Sequence, residues 1–202
     1  MVSEKNIIED CIKGKRYAYE QLFKTYASTM LGICMRYSKD KAEAEDILQE
    51  GFIKVFFNIK KFRSEGSFEG WLKKIMVNTA INHYQKNLKH YFHIQIDKLH
   101  ETISDYVDDD LHADESLPKE KIMALIQDLP DGYRFVFNMY VFEEFSHKQI
   151  AKTMNITVST SKTQLFKARH LLKRKIESIK KEELQYNKSH GEKSEKSRQV
   201  HL

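Results

Sequence analysis

The clearest chemistry in this chain lies in a cluster of polar and basic side chains in its last third. Six such residues fall within eight positions: Thr160, Ser161, Lys162, Thr163, Gln164 and Lys167. Lysine ammonium groups bind phosphates and guanine edges, and hydroxyl and amide groups bind base edges or backbone oxygens. Placed at the N-terminus and on the outer face of one helix, these groups suit the major groove of DNA.

The preceding sequence predicts a short helix and a tight turn. Ser146, with Gln149 three residues later, has the pattern of a capping box. An apolar stripe follows at helical spacing, formed by Ile150, Ala151 and Met154. Asn155 is predicted to be the turn residue, because asparagine tolerates positive φ better than most residues other than glycine. Residues 145–169 therefore read as a helix-turn-helix.

A second helix is predicted to begin at a cap formed by Ser159 or Thr160. Its buried face would consist of Leu165, Ala168, Leu171 and Leu172. That choice leaves the polar cluster at the N-terminus or on the outside of the helix. The alternative is an ordinary amphipathic helix pair with a lysine-rich solvated face.

The composition favours an all-α protein with one large or two small domains. The chain has 202 residues, of which 41% are hydrophobic, with only 2 prolines and 7 glycines. There is no apolar run long enough for a membrane span and no signal-peptide core near the N-terminus. Cys11 and Cys34 lie on apolar helical faces without a CxxC partner, which indicates reduced core residues of a cytoplasmic protein.

Charge is distributed in three blocks. Residues 1–96 carry a net charge of +5, residues 97–118 a net charge of −7, and residues 119–202 a net charge of +7. Two basic blocks indicate two contacts with a polyanion, and the acidic middle argues against a uniform nucleic-acid coat.

Hydrophobic periodicity divides the chain in the same way. Residues 1–93 are predicted to form one small helical domain, and 118–180 a second helical domain that contains the helix-turn-helix. Residues 94–117 lack a sustained apolar period and are predicted to form a flexible acidic linker. Residues 181–202 are polar and basic and are predicted to form a disordered tail.

Three further segments carry a family resemblance. Residues 42–56 and 71–80 resemble the second conserved region of bacterial RNA polymerase sigma factors of the extracytoplasmic-function (ECF) group. Residues 129–134 and the helix-turn-helix resemble the fourth region. The resemblance covers roughly 8–92 and 118–176, and the order and separation of the two blocks make it highly specific. It implies an alternative sigma factor that binds the polymerase core and directs promoter-specific initiation of transcription.

The resemblance implies a polymerase contact on the helix that contains Asp46, Gln49 and Glu50. These residues match the positions that dock on the clamp helices of the largest polymerase subunit. Their spacing of i, i+3 and i+4 places them on one helix face, where carboxylates can pair with arginines of a partner. The alternative is a solvated acidic face. The implied partners are the polymerase core, through its clamp helices and flap, promoter DNA and, in many relatives, an anti-sigma factor.

The resemblance also implies two promoter contacts. Seven residues match the loop and helix of sigma factors that open the minus-ten element: Lys60, Lys61, Arg63, Ser64, Gly66, Lys74 and Asn78. The six polar residues of the helix-turn-helix match the reader of the minus-thirty-five element, with Lys162, Thr163 and Lys167 as the strongest candidates. Phe62, Phe68 and Trp71 are interpreted as core packing rather than as platforms for stacked bases.

The sequence departs from the family pattern at several positions. Asn82 and Gln85 replace a frequent aspartate and arginine, and Lys86 and Lys89 supply charge nearby. Glu144 and Asn155 occupy frequent glycine positions, and Gln164 replaces a frequent arginine. Arg169 is compatible with either a phosphate contact or a packing role.

The acidic linker has two interpretations. It is either a solvated spacer or a mimic of nucleic acid that enters the polymerase cleft and the RNA exit path. The mimicry would use six carboxylates, namely Asp105, Asp108, Asp109, Asp110, Asp114 and Glu115.

An enzyme is the weakest of the alternatives. His90 and His93 are the only close histidine pair and lack accompanying ligands, and no P-loop, Rossmann glycine pattern or zinc-protease motif is present. No metal or cofactor is therefore expected. The stronger rival is a transcriptional regulator that binds an operator by itself as a dimer on paired half-sites, with 1–93 as a sensor or dimerisation domain.

Overall fold

A computed structural model describes the backbone of residues 3–91 and 117–199 and the side chains of 3–86 and 117–182. Within these ranges the chain is helical, which confirms the predicted all-α class. The helices are α1 (Glu4–Ile12), α2 (Arg16–Tyr37), α3 (Lys41–Asn58), α4 (Phe68–Tyr91), α5 (Lys119–Gln127), α6 (Asp131–Val141), α7 (His147–Met154) and α8 (Val158–Gln199). The acidic linker and its six carboxylates lie almost entirely outside the described residues.

Helices α1 to α4 form the N-terminal module. Each of α1, α3 and α4 begins after a side chain that accepts a hydrogen bond from a free backbone N–H, as expected at helix starts: Ser3 from Asn6, Asp40 from Glu43 and Ser67 from Gly70. The module packs around large apolar side chains, the most deeply buried being Leu22, Met30, Ile47, Val55, Ile59, Phe68, Leu72 and Met76. Cys11 and Cys34 are buried free thiols, as the sequence predicted.

Helices α5 to α8 form the C-terminal module, which contains the helix-turn-helix. Ser146 and Gln149 make the predicted capping box at the start of α7, and Asn155 ends that helix with φ of 54°. Helix α8 begins at Val158, because the Oγ1 of Thr157 accepts a hydrogen bond from the backbone N–H of Thr160 at 3.0 Å. The prediction of Ser159 or Thr160 as the cap was therefore wrong by two or three residues.

Among the residues that the structure describes, three non-glycine residues have positive φ, and two of them are the positions where the family resemblance led us to expect glycine. Glu144 has φ of 55°, Asn155 has φ of 54°, and Ser64 has φ of 56°. A residue with a Cβ is strained in this region of backbone space, and asparagine is strained least. The departures at Glu144 and Asn155 therefore keep the backbone geometry that glycine would favour.

The C-terminal end of α8 differs from the prediction. The backbone is helical to Gln199, where the sequence predicted a disordered tail from 181 onwards. The segment contains no proline and is rich in Lys, Glu and Gln, which have high helix propensity. Low hydrophobicity indicated a segment without a core, but it does not distinguish a solvated helix from a disordered chain.

The two modules pack directly on each other, a contact that the sequence did not predict. Tyr84 stacks on Phe135 with ring centroids 4.3 Å apart, and Tyr37 meets the same ring edge-on at 5.3 Å. Two hydrogen bonds add specificity: the Asn138 side-chain amide donates to the Arg36 carbonyl at 2.6 Å, and that of Gln85 donates to the Thr153 carbonyl at 2.6 Å.

Glu143 is the charged centre of this contact. Its side chain is only 8% exposed, and it pairs with Arg36 of α2 and Lys73 of α4, both at 3.2 Å. The Arg36 guanidinium also lies 4.4 Å from the centroid of the Phe142 ring. One carboxylate of the α6–α7 turn thus joins two helices of the N-terminal module. We call this group of residues 36, 73 and 143 the interdomain ion cluster.

Candidate polymerase and promoter interfaces

The outward face of α3 carries the predicted polymerase-binding residues. Asp46 and Gln49 are exposed, and Glu50 is half-buried. Glu50 pairs with Lys54 one turn later at 2.7 Å, and this hydrogen bond is the main cause of its lowered pKa. Glu50 is therefore a fixed anion at neutral pH, whereas Asp46 and Gln49 project into solvent. The three side chains lie together and are not part of the core.

The predicted minus-ten residues fall into two groups in the structure. Lys60 and Lys61 lie in the 3-10 turn Ile59–Lys61, and the loop that follows exposes Arg63, Ser64 and Gly66. Every member of this first group is open to solvent. A cationic loop with accessible backbone can bind phosphates and approach a base edge.

The second group, Lys74 and Asn78, lies one turn apart on the exposed side of α4. The two residues line a cleft of about 410 Å³ between α3 and α4. Its other lining includes Lys54, Asn58 and Lys61. The turn and α4 thus join into one continuous basic and amide-rich surface.

Three further residues line this cleft that were not predicted as site residues, namely Lys54, Asn58 and Asn82, although Asn82 was noted as a departure from the family pattern. A signal existed for two of them, because Lys54 and Asn58 follow Glu50 at intervals of one helical turn. The Lys54 ammonium donates to the Thr79 hydroxyl at 3.2 Å as well as pairing with Glu50. Lys54 therefore links the acidic face of α3 to the basic surface.

The aromatic residues beside the loop pack against one another, as the sequence analysis interpreted them. Phe68 is buried and stacks on Trp71 at 5.6 Å, while Phe62 meets Phe68 edge-on at 5.0 Å. Phe62 and Trp71 are half-buried. This cluster fixes the start of α4 and does not present open rings for base stacking.

The N-terminal part of α8 displays most of the predicted minus-thirty-five residues. Lys162 is exposed, and Thr160, Thr163, Gln164 and Lys167 are half-buried. Thr163 donates its hydroxyl proton to the Ser159 carbonyl at 2.9 Å, and Gln164 packs against Gly132 of α6. The two lysines are the members of this set whose charged ends have the most freedom to reach a phosphate or a base.

Ser161 requires a correction. Its side chain is 0% exposed, and its hydroxyl lies 2.9 Å from Nδ1 of His147 on α7. The His147 ring stacks on Tyr140 at 4.8 Å, so the pair is part of the packing between α6, α7 and α8. The placement of Ser161 on the outer face was wrong, because Ser161 lies one turn before Leu165 on the buried stripe that also contains Ala168 and Leu172. The Arg169 guanidinium lies 5.6 Å from the centroid of the Tyr140 ring, which supports a packing role for Arg169.

The described residues offer neither a metal-ligand cluster nor a membrane-spanning helix. In residues 3–86 and 117–182, no three His, Cys, Asp or Glu side chains are grouped to hold a metal ion. Within the same part of the chain, no helix combines the length and apolar character required to cross a membrane.

Comparison with known proteins agrees with this geometry. The family model for sigma-70 region 2 matches residues 22–89, and the model for sigma-70 region 4 matches residues 119–172. Together they cover more than half of the chain and coincide with the two modules. The chain therefore belongs to the sigma-70 family of RNA polymerase sigma factors, and within it to the ECF group.

The relatives share this organisation along their length. The chain is 27% identical over 186 residues to the RNA polymerase sigma-H factor of Pseudomonas aeruginosa, covering 89% of this chain and 96% of that protein. It is 29% identical over 184 residues to the ECF sigma factor SigW of Bacillus subtilis, covering 87% and 97%. A structure of CnrH in complex with the cytosolic domain of CnrY aligns with a TM-score of 0.44 at 14% identity, covering 85% and 96% of the two chains.

Membership of the family defines the activity. The protein is an ECF sigma factor that directs RNA polymerase to promoters and initiates transcription. Sigma factors are non-catalytic subunits, so the expected absence of enzyme activity is confirmed by the family. The partners that the family implies are the polymerase core and promoter DNA.

Proposed function

We propose that Asp46, Gln49 and Glu50 bind the clamp helices of the largest polymerase subunit. The observation that supports this most strongly is their common position on one solvent-facing side of α3, with Glu50 held as an anion by Lys54. An acidic helix face can pair with arginines on a helical partner through charge-assisted hydrogen bonds. The cytoplasm, where the polymerase works, is the compartment in which this contact would form.

We further propose that the loop and α4 surface bind the minus-ten element. Lys60, Lys61 and Arg63 would hold phosphates, and the exposed backbone around Ser64 and Gly66 would contact a base displaced from the duplex. Lys74 and Asn78 would continue the contact along α4. The clustering of these exposed groups around one cleft supports this assignment.

The minus-thirty-five element is assigned to α8. Lys162 and Lys167 would reach phosphates or guanine edges, with Thr160, Thr163 and Gln164 beside them, while Ser161 is excluded by its burial. The C-terminal module would rest on the polymerase flap. Arg169 is assigned to packing on Tyr140 rather than to DNA.

Engaging both promoter elements requires the two modules to separate. Elements named for positions ten and thirty-five lie about 25 base pairs apart, which is roughly 85 Å of duplex at about 3.4 Å per base pair. Two modules of this size that pack directly on each other, an arrangement we call closed, span only about 40 Å. Phe142, Glu143 and Glu144 also line a cleft with Lys74 and Asn78, so the C-terminal module stands against the proposed minus-ten surface. The closed arrangement is thus a state of the unengaged protein.

Two further assignments follow from the group to which the chain belongs. An anti-sigma factor would hold the protein inactive until a signal releases it. The acidic segment 94–117 would occupy the polymerase cleft in place of nucleic acid. Replacing its six carboxylates with amides should weaken holoenzyme assembly or change early RNA escape, and unchanged behaviour in both assays would reduce the segment to a spacer.

Reconstituted transcription tests the proposal as a whole. Core polymerase with this chain should give promoter-dependent transcripts from a genomic fragment library, and Asp46→Ala should lower transcription by weakening core binding. Tight binding of the chain alone to paired half-sites, with no transcription from any fragment, would favour the operator-binding regulator.

Lys167→Ala tests the assignment of α8. We expect it to weaken promoter binding by about 1–3 kcal/mol if Lys167 reads a base, with the loss confined to one position of the element. An equal loss of affinity for all promoter sequences would show that Lys167 contacts only phosphate. Lys24→Ala removes the same charge from an exposed position on α2 and should leave binding to the minus-thirty-five element unchanged.

A further inference from the structure

Two large apolar side chains of α3 face solvent. Phe57 is 83% exposed and Ile53 is 55% exposed, the two highest values among the exposed large hydrophobic residues of the described chain. Core packing does not require them, because the adjacent Phe56 already meets Tyr19 at 4.8 Å and Phe52 is buried. Scattered exposed hydrophobic residues are common on proteins, so their position relative to other groups is what matters.

These residues continue the stripe that contains the proposed polymerase contacts. At about 100° per residue, Asp46, Gln49, Ile53 and Phe57 follow one another at spacings of three, four and four, and fall within a narrow sector of the helix. Glu50 borders this sector, about 20° beyond Phe57 around the helix. The stripe runs for about 16 Å along α3, polar at its N-terminal end and apolar at its C-terminal end.

We propose that Ile53 and Phe57 form the apolar half of the polymerase-binding face and pack against apolar side chains of the clamp helices. This inference rests on the proposed binding of Asp46, Gln49 and Glu50 to the same helices. A partner helix lying along α3 would meet the polar end and the apolar end at once. The carboxylates would set its register, and a desolvated aromatic anchor is the kind of residue that dominates interface affinity.

The charges of the stripe favour a protein partner over the other candidates. Asp46 and Glu50 would repel the phosphates of a nucleic-acid strand stacked along it. A second copy of the chain, packed antiparallel through α3, would bury each acidic end against an apolar end that offers its carboxylates no cation from the other copy. Clamp helices that carry both arginines and apolar side chains satisfy both ends.

The direct test is the affinity of the full-length protein for purified core polymerase. We expect Phe57→Ala to weaken binding roughly 10- to 30-fold and Ile53→Ala roughly 3- to 10-fold, while Phe57→Leu, which keeps an apolar side chain, loses less. Val141→Ala is the matched control, because Val141 is an exposed aliphatic residue of α6 outside the stripe. Thermal unfolding of these variants should match that of the unmodified chain.

Asp46→Ala and Gln49→Ala separate this inference from the proposed function. If they weaken core binding and Phe57→Ala does not, the apolar half is overturned and the polar contact stands. If Phe57→Ala weakens binding and they do not, the apolar contact is supported and the assignment of the polar residues falls. Loss of self-association in Phe57→Ala, with unchanged core affinity, would assign the stripe to a second copy and overturn the inference.

A photo-crosslinking amino acid gives an independent readout. Placed at position 57, it should crosslink to the largest polymerase subunit in the holoenzyme, whereas the same group at position 141 should not crosslink to that subunit. Crosslinking of position 57 to promoter DNA in place of the subunit would overturn the inference in favour of base stacking.

Discussion

The two modules stabilise their helices by different means. The N-terminal module buries long apolar side chains between three helices of 18 to 24 residues, with Leu72 and Met76 among the most buried. The C-terminal module has shorter helices in α5, α6 and α7, and its largest fully buried side chain is Arg134. Asn138 and Ser161 are also buried there.

The difference follows from helix length. Short helices have proportionally more terminal carbonyls without an intrahelical partner, and these must be satisfied by other groups. Arg134 does this at the end of α5, where it donates to the carbonyls of Gln127 at 3.0 Å and Leu129 at 2.9 Å and pairs with Asp131 at 2.7 Å. The N-terminal module thus depends on packed volume, and the C-terminal module depends on specific polar partners.

The largest expected effect is a cavity in the N-terminal module. Leu72→Ala should reduce the free energy of unfolding by about 3–4 kcal/mol, because Leu72 is fully buried, and Leu72→Met, which conserves volume, should cost less than about 1.5 kcal/mol. Chemical denaturation measures both. Equal losses for the two variants would show that volume does not govern this core.

A volume-conserving change should behave differently in the C-terminal module. Arg134→Met keeps a long side chain but leaves the Gln127 and Leu129 carbonyls without their donor, so it should cost about 2–3 kcal/mol. Denaturation followed by a probe in α8 would measure the loss. Stability equal to that of the unmodified chain would contradict the comparison, because it would show that the polar partners are replaceable by apolar packing.

The interdomain ion cluster connects the two modules and has an internal control. Glu143→Gln removes the charge that holds Arg36 and Lys73 and should weaken docking of the modules by about 1–2 kcal/mol. Glu144→Gln makes the same chemical change at the next residue, which is exposed, and should have no effect. Small-angle scattering detects separation of the two modules. Identical scattering profiles for both variants would show that the charge of Glu143 does not hold the modules together.

The smallest expected effect is at the turn of the helix-turn-helix. Asn155 has φ of 54°, so Asn155→Ala should destabilise the C-terminal module by about 1 kcal/mol, while Asn155→Gly should be neutral or slightly stabilising. Thermal unfolding resolves this difference. A loss in the glycine variant equal to that in the alanine variant would indicate that the asparagine side chain, and not its backbone, matters at this turn.

Local patterns predicted much of this structure. Ser146 and Asn155 were predicted as a cap and a turn residue because their chemistry acts over three or four positions of the chain. The burial of Ser161 also has a local signal, because Ser161 precedes Leu165, Ala168 and Leu172 by four, seven and eleven positions and so shares their buried face. Its polar side chain favoured an outward placement, which was wrong.

Contacts between distant parts of the chain were beyond the sequence patterns. The pairing of Arg36 with Glu143 spans 107 positions, and neither residue has a local signal that distinguishes it from a solvated charge. Arg134 was read only as part of a family motif, because a buried arginine is rare and its partners are backbone carbonyls that no pattern of side chains reveals. The exposure of Phe57 could not be predicted either, because it depends on which side chains the other helices of the module bury.

The modules are docked in the free protein, and we expect them to separate at a promoter. Fluorescent labels at two exposed positions outside the proposed interfaces, Lys24 of α2 and Glu177 of α8, would report the separation of the modules in the free chain and in holoenzyme bound to a promoter. We predict high energy transfer in the free chain and its loss in the promoter complex, with Glu143→Gln lowering transfer before polymerase is added. Equal energy transfer in the free and promoter-bound states would contradict the separation of the modules.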